Sequence, residues 1–197
     1  EIFEQGLRAL KNTFRPALRA FLDILGSGSV FEGSLPKIIS ALNAAESLEF
    51  QNESYKLLTA SDERQCHDMA QALLDKNLNK QQQIKNIVQE VERRILQKLN
   101  DPIIFEGDPA WKLIFAGSVA SIVSSKYGKP TFIFKKGDGE SCGSVRNPKG
   151  TNSVDAMKTC ADFLITYGGH AQASGFRLKN QDLGKFESCL HSYFKKS

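Results

Sequence analysis

The sequence predicts an α/β protein in which a long connector helix leads into a small mixed-sheet α/β domain with flanking helices. Three observations predict it. Residues 61–100 hold an apolar stripe at helical spacing with no Gly or Pro to interrupt it. Residues 101–197 alternate β-rich and helix-rich segments, the texture of an α/β domain. Eleven of the fifteen glycines fall between Gly107 and Gly184, so the turn-forming residues crowd into that same region.

The elements follow in order. Over residues 1–60, Ile2, Leu7, Leu10, Phe14, Leu18, Phe21, Leu22 and Leu25 recur at helical spacing, with Pro16 marking a new start. Gly26-Ser27-Gly28-Ser29 breaks that pattern, and Pro36 opens another apolar stretch through Ile38, Ile39 and Leu42. This part has too few strand signals to form a sheet domain and reads as a helical remnant at the end of another domain. From 61 to 100, Ser61 is a cap candidate, and Asp62 and Glu63 suit the positive end of a helix. Asn100-Asp101-Pro102 supplies the stop. The stripe comprises Leu73, Leu74, Leu78, Ile84, Ile87, Val88, Val91, Ile95 and Leu99. About 39 residues at about 1.5 Å each give a rod of roughly 58 Å, more than one compact domain needs. It therefore reads as a connector between two bodies, and the polar middle from Asn77 to Gln83 argues against a coiled-coil seam.

In the last hundred residues, Ile103-Ile104-Phe105 and Thr131-Phe132-Ile133-Phe134 read as strands, with a helix over 118–127 between them, ended by Gly128-Lys129-Pro130. The pattern then predicts a strand over 140–146, a helix over 153–167, a strand over 173–178 and a closing helix over 181–194.

Charge is uneven. The net charge is +4. The window from Lys126 to Gly150 holds Lys126, Lys129, Lys135, Lys136, Arg146 and Lys149 against Asp138 and Glu140, so it carries that whole excess. A basic, glycine-rich stretch is a footprint for phosphate. No run of about 18 apolar residues suits a membrane span. Cys66, Cys142, Cys160 and Cys189 lie far apart with no C-x-x-C pair, which weakens zinc and redox readings and favours a reduced, cytoplasmic setting. The chain opens on Glu1-Ile2-Phe3, neither a methionine nor a signal peptide, and reads as part of a longer protein.

Two segments carry the chemistry. In Gly143-Ser144-Val145-Arg146-Asn147, a strand ending in Arg146 aims a planar guanidinium suited to bidentate phosphate contact. In Gly168-Gly169-His170-Ala171-Gln172-Ala173-Ser174-Gly175, paired glycines let backbone N–H groups approach an anion, and His170 can donate to phosphate or stack on a base. The candidate site is thus Ser144, Arg146, Asn147, Gly168, Gly169, His170 and Ser174. No catalytic residue and no metal ligand can be named.

The GGHAQASG stretch at 168–175 resembles the G-G-H-x-x-A-[AS]-G signature of the DHH-associated domain, the second domain of DHH phosphoesterases. Gly143-Ser144 with Arg146 is similar to that domain's G-S-x-R segment. The run from Ala116 to Ser121, then Tyr127-Gly128-Lys129-Pro130, resembles the RecJ-type branch, as does Asn43-Ala44-Ala45 before the long helix. The resemblance implies a 5′-to-3′ exonuclease of single-stranded DNA, working in repair or recombination through two Mn²⁺ or Mg²⁺ ions. Those metals belong to a first domain bearing a D-H-H motif that this chain does not contain, so the fragment alone is expected to be inactive. It also reads Glu46-Ser47 where the branch has Gly-Arg. Two other readings stay open: a non-hydrolytic nucleic-acid-binding or replication-scaffold module, and a nanoRNase or nucleotide phosphatase of the same superfamily.

Overall fold

The computed structural model describes residues 16–26, 33–48 and 51–195. The stretch before Pro16, with Ile2, Leu7, Leu10 and Phe14, lies outside the described residues, as does Ser27 to Ser29 of the proposed break. The chain divides into two compact units, Glu1–Gln82 and Gln83–Ser197.

In the first unit, α1 (Pro16–Leu25), α2 (Leu35–Leu42) and α3 (Glu53–Thr59) accompany a two-residue hairpin, β1 (Ser47–Leu48) with β2 (Gln51–Asn52). Asn52 caps α3, its side-chain oxygen accepting from the Ser54 and Tyr55 N–H groups. The core joins Phe21, Leu22, Ile38, Ala41 and Leu57 to Cys66, Ala70, Leu73 and Leu74 from the first half of α4 (Glu63–Ile95).

That long helix is shorter than the expected 61–100. It is capped by Asp62, whose carboxylate accepts from the Gln65 N–H at 2.7 Å, and not by Ser61. Its stripe is also broken. Leu73 and Leu74 bury in the first unit and Ile84, Val91 and Ile95 in the second, whereas Leu78, in the polar middle, is 67% exposed. Leu99 lies beyond the helix and is also exposed. One apolar stripe therefore serves two separate cores, and the polar stretch falls where neither needs it.

The second unit is built on a five-stranded sheet of β3 (Ile104–Asp108), β4 (Thr131–Lys136), β5 (Glu140–Arg146), β6 (Thr166–His170) and β7 (Ala173–Lys179), in the order β3-β4-β5-β7-β6. The β3–β4 pair is parallel, joined through α5 (Leu113–Tyr127); the remaining pairs are antiparallel. Successive side chains of a strand point to opposite faces, and here they feed two cores. Phe105, Phe132, Phe134, Val145, Phe176 and Leu178 pack on one face against α6 (Ser153–Thr159) and α7 (Leu183–Phe194), through Met157, Phe186 and Leu190. Ile104 and Ile133 pack on the other face with Trp111, Phe115, Val119 and Val123 around α5, and with the second half of α4.

Two expectations are corrected. The helix expected over 153–167 ends at Thr159; a short 3-10 turn, Ala161–Phe163, follows, and Thr166–His170 is an edge strand. Spacing alone does not separate a short amphipathic helix plus a strand from one longer helix. The second concerns the cysteines, which the sequence offered no reason to pair. Cys160 and Cys189 form a disulfide, with Cα atoms 6.0 Å apart; Cys66 and Cys142 are free.

The outer edge strand β3 is held by charge. Arg94 of α4 reaches Asp108 at 2.7 Å and pairs with Glu90, Lys98 reaches the buried Glu106 at 3.0 Å, and the Trp111 indole N–H donates to Glu90. The hydrogen bond from Arg94 holds the Asp108 carboxyl below the usual carboxylate range, helped by the Ala110 N–H. A lowered folded-state pKa contributes stability that is present above the unfolded value and lost as pH falls through the folded one. We therefore expect the urea midpoint of the chain to fall on acidification below about pH 4, the ordinary carboxylate range. Asp108→Asn should flatten that dependence; an unchanged slope in the variant would show that Asp108 is not a source of it.

Candidate nucleic-acid interface

Strand register decides which candidate residues meet. Arg146 of β5 stands opposite Ala173 of β7, which stands opposite His170 of β6; one step along, Ser144 stands opposite Gly175, and Gly175 opposite Gly168. Residues directly opposite share a face, so these six form two parallel rows on one side of the sheet. With strands about 4.8 Å apart, His170 and Arg146 lie roughly 10 Å from each other. The other side of the same strands holds Val145, Phe176 and Leu178 in the phenylalanine-rich core.

The floor between them is low because Ala173, Gly175 and Gly168 project almost nothing. A Cβ on Gly168 would meet no atom within 4 Å, so internal packing does not require glycine there. Gly169 is different. Its φ is +132°, and a Cβ would lie 2.6 Å from the Ala173 carbonyl oxygen and 2.7 Å from the Ser174 Cα. This position needs glycine for backbone reasons. Gly143, in the other motif, faces the phenylalanine core, where a Cβ would strike Phe134 and Phe176. One motif glycine thus serves the core, one the backbone, and one leaves open surface.

Arg146 is half-buried, with one guanidinium nitrogen donating to the Val145 carbonyl at 2.8 Å. Its other terminal nitrogen lies beside Gly117 of α5, 3.1 Å from where a Cβ would sit, and the Ser144 hydroxyl is 3.6 Å from that same point. Gly117 is therefore the clearance that lets the Arg146 fork lie between helix and sheet. Gly117 belongs to the Ala116–Ser121 run that resembles the RecJ-type branch, and nothing in that run by itself signals this clearance. Among the described residues no carboxylate pairs with Arg146, whereas Arg94, Lys98, Lys126 and Arg177 all have one.

Two candidates do other work. Ser174 is buried and faces away from the shelf; its hydroxyl lies 2.6 Å from that of Ser153, whose own O–H is 3.1 Å from the Ala171 carbonyl oxygen. Asn147 donates its side-chain amide to the same carbonyl at 3.1 Å and its backbone N–H to the Gln172 carbonyl at 3.1 Å. Together with the Ser153 N–H, also on Ala171, these bonds fix the turn that follows His170. Asn147 and Ser174 thus bond into the segment beside His170, whose own side chain is exposed.

The basic window is only partly available. Lys129 donates to the Leu99 and Asp101 carbonyls at 2.6 and 2.7 Å, and Lys126 pairs with Glu92 at 2.7 Å. Lys135, Lys136 and Lys149 remain exposed, and Lys135 follows Ile133 on the shelf side of β4, opposite Cys142. Among the described residues, no group of three or more His, Cys, Asp or Glu side chains could hold a metal ion.

Residues 100–196 match the DHHA1 domain model. The second unit of this chain is a DHHA1 domain of the RecJ type. The single-stranded-DNA-specific exonuclease RecJ of Bacillus subtilis is 25% identical over 94% of this chain, and that of Thermus thermophilus is 26% identical over 98%. The chain spans about a quarter of either relative, 24% and 28% of their lengths. A crystal structure of exonuclease RecJ bound to manganese matches with a TM-score of 0.80 over 98% of this chain and 49% of that one, at 22% identity. The Thermus thermophilus RecJ structure in complex with Mg²⁺ matches at 0.77, with 23% identity, 98% of this chain and 30% of that one. This likeness establishes the mixed α/β fold with its long helix and five-stranded sheet.

The two glycines separate fold from ligand. Gly168→Leu should leave the thermal midpoint unchanged and weaken single-stranded DNA binding, because its side chain would stand on the open shelf. Gly169→Ala should destabilise the domain by about 1–3 kcal/mol. The reverse pattern in thermal melts and filter binding would show that the shelf is not where nucleic acid lies.

Proposed function

We propose that this chain is the substrate-binding part of a 5′-to-3′ single-stranded-DNA exonuclease acting in DNA repair or recombination. On this reading the metal-bearing catalytic domain lies outside the chain, and α4 is the connector towards it. The observation that carries it is the placement of Ser144, Arg146, Gly168 and His170 on one face of a RecJ-type DHHA1 domain. The unpaired Arg146 fork and the Ser144 hydroxyl offer charge-assisted and neutral donors to a phosphate. The bare floor admits a sugar–phosphate chain, and the imidazole of His170 donates to a second phosphate or stacks on a base.

The parent nuclease uses Mn²⁺ or Mg²⁺ for phosphodiester hydrolysis. The donor set among the described residues does not fit such a centre; on this reading the metals sit in the domain outside the chain, and this part orients the strand without hydrolysing it. Its partner is single-stranded DNA, and no helix among the described residues is long and apolar enough to cross a membrane. With the nuclease reading goes a cytoplasmic location.

A second reading, a non-hydrolytic nucleic-acid-binding module, is favoured by one feature. Where the resemblance expects Gly-Arg, the Glu46 N–H donates to Glu53 at 2.9 Å, and Lys76 pairs with Glu53 at 2.6 Å and lies 3.8 Å from the Glu46 carboxylate. Ser47 thus stands where the branch has a phosphate-binding arginine, and Glu46 puts a carboxylate in place of the glycine before it. Carboxylates of a D-H-H motif in the sequence before Glu1 would support the nuclease, and their loss would support the module.

Removing a charged hydrogen bond to phosphate costs about 1.5–3 kcal/mol. Arg146→Ala should therefore weaken binding of a labelled single strand roughly 10- to 100-fold and make the salt dependence shallower. His170→Ala should weaken it less. Unchanged affinity in both, with unchanged circular dichroism, would refute the interface. Titration calorimetry with Mn²⁺ should show no tight site.

A further inference from the structure

We infer that the Cys160–Cys189 disulfide is a thiol-exchange site, opened at Cys189 by an anionic low-molecular-weight thiol, which sets how firmly α7 is held to the domain. Three observations bear on it, and none involves the nucleic-acid face.

The first is position. Cys160 ends α6, immediately before the 3-10 turn and the edge strand β6; Cys189 sits in the middle of α7, 29 residues later. The bond therefore ties the last helix of the domain to the segment that leads into β6. Phe163, Leu164, Leu183, Tyr193 and Phe194 around it are only partly buried, so apolar packing there is thinner than around the phenylalanine core. A cross-link closing a loop of this length restricts the unfolded chain strongly.

The second is unequal access. Cys160 is 1% exposed. Cys189 is partly exposed and lines an open groove with Phe163, Gln181, Gly184, Lys185 and Ser188. Of the two cysteines, Cys189 is the one that borders open space for an incoming thiolate.

The third is the chemistry of that groove. Lys185 precedes Cys189 by one helical turn, and its ammonium lies at the surface, 3.5 Å from Asp182. Lys185 lines the same groove as Cys189, so the approach carries a cation, partly offset by Asp182, that favours an anionic thiolate. Gly184 and Ser188 leave the approach free of bulk.

The exchange balances without another reactant. The incoming thiolate bonds to the Cys189 sulfur and breaks the bond to Cys160, whose sulfur leaves as a thiolate and takes a proton. A second thiol then attacks the mixed disulfide, releasing the small disulfide and the Cys189 thiol. Two small thiols are oxidised as one protein disulfide is reduced, and the reverse sequence restores the link.

The test uses the whole chain and glutathione. Without reductant, alkylation after denaturation should label Cys66 and Cys142 only, and digestion should yield a linked Cys160–Cys189 peptide. Millimolar reduced glutathione should remove that peptide, lower the thermal midpoint by on the order of 10 °C and speed amide exchange over residues 161–165 and 184–194. Oxidised glutathione should form an adduct on Cys189 in Cys160→Ser but none on Cys160 in Cys189→Ser. Should either variant fail to fold, the glutathione titration of the unaltered protein decides alone. Four alkylatable thiols before reduction, or a linked peptide whose loss leaves the midpoint unmoved, would overturn the proposal; so would an adduct on Cys160. None of these readouts involves DNA, so their failure leaves the binding-part reading intact, and failure of that reading leaves this one intact.

Discussion

The constraint on which the second unit depends is the strict two-residue alternation of side chains between the two faces of its sheet. On β5 and β7 every second side chain, Val145, Phe176 and Leu178, enters the phenylalanine-rich core under α6 and α7. Burying such side chains contributes about 1.5–3 kcal/mol each, and slipping either strand by one residue would turn the whole set outward. The alternate positions are thereby kept out of that core. They hold Ser144, Arg146, Ala173 and Gly175, and the register carries the same row on to Gly168 and His170. The core fixes the shelf without being part of it.

A second theme is the disposition of charge. Most cations of the basic window that lie close to other elements are spent internally: Lys129 on two backbone carbonyls and Lys126 on Glu92. Arg94 of α4, and Lys98 just beyond its end, tie this segment to the edge strand β3. Arg146 is kept out of this economy. Its neighbours are a backbone carbonyl and the gap at Gly117, so its charge is not cancelled before a ligand arrives. A fork held by the Val145 carbonyl is already oriented, which reduces the ordering cost of binding.

Much of this was legible in the sequence, because strands and helices of strong pattern identify themselves. The strand opening on Thr131-Phe132-Ile133-Phe134 and the helix ending at Tyr127 come directly from β-propensity and from Gly128-Lys129-Pro130. The boundary at Thr159 was not legible, since Met157, Phe163 and Leu164 all pack on the same core whichever element carries them. The stripe of α4 was visible as one pattern, but nothing local tells that Leu73 and Val91 belong to different cores. The cysteine pair was hidden for a similar reason: Cys160 and Cys189 are separated by 29 positions, with strands β6 and β7 between them.

By itself the sequence determined the α/β class, the long helix, the order of elements and the motif residues, because propensity and periodicity act over a few neighbours and chemistry-bearing residues stand out by type. Tertiary structure decided which of those residues share a face. Register turned Ser174 and Gly143 into the core and left Ser144, Arg146, Gly168 and His170 on the surface. That choice rests on pairing between strands distant in the chain, where a single step reverses inside and outside, and no local preference encodes it.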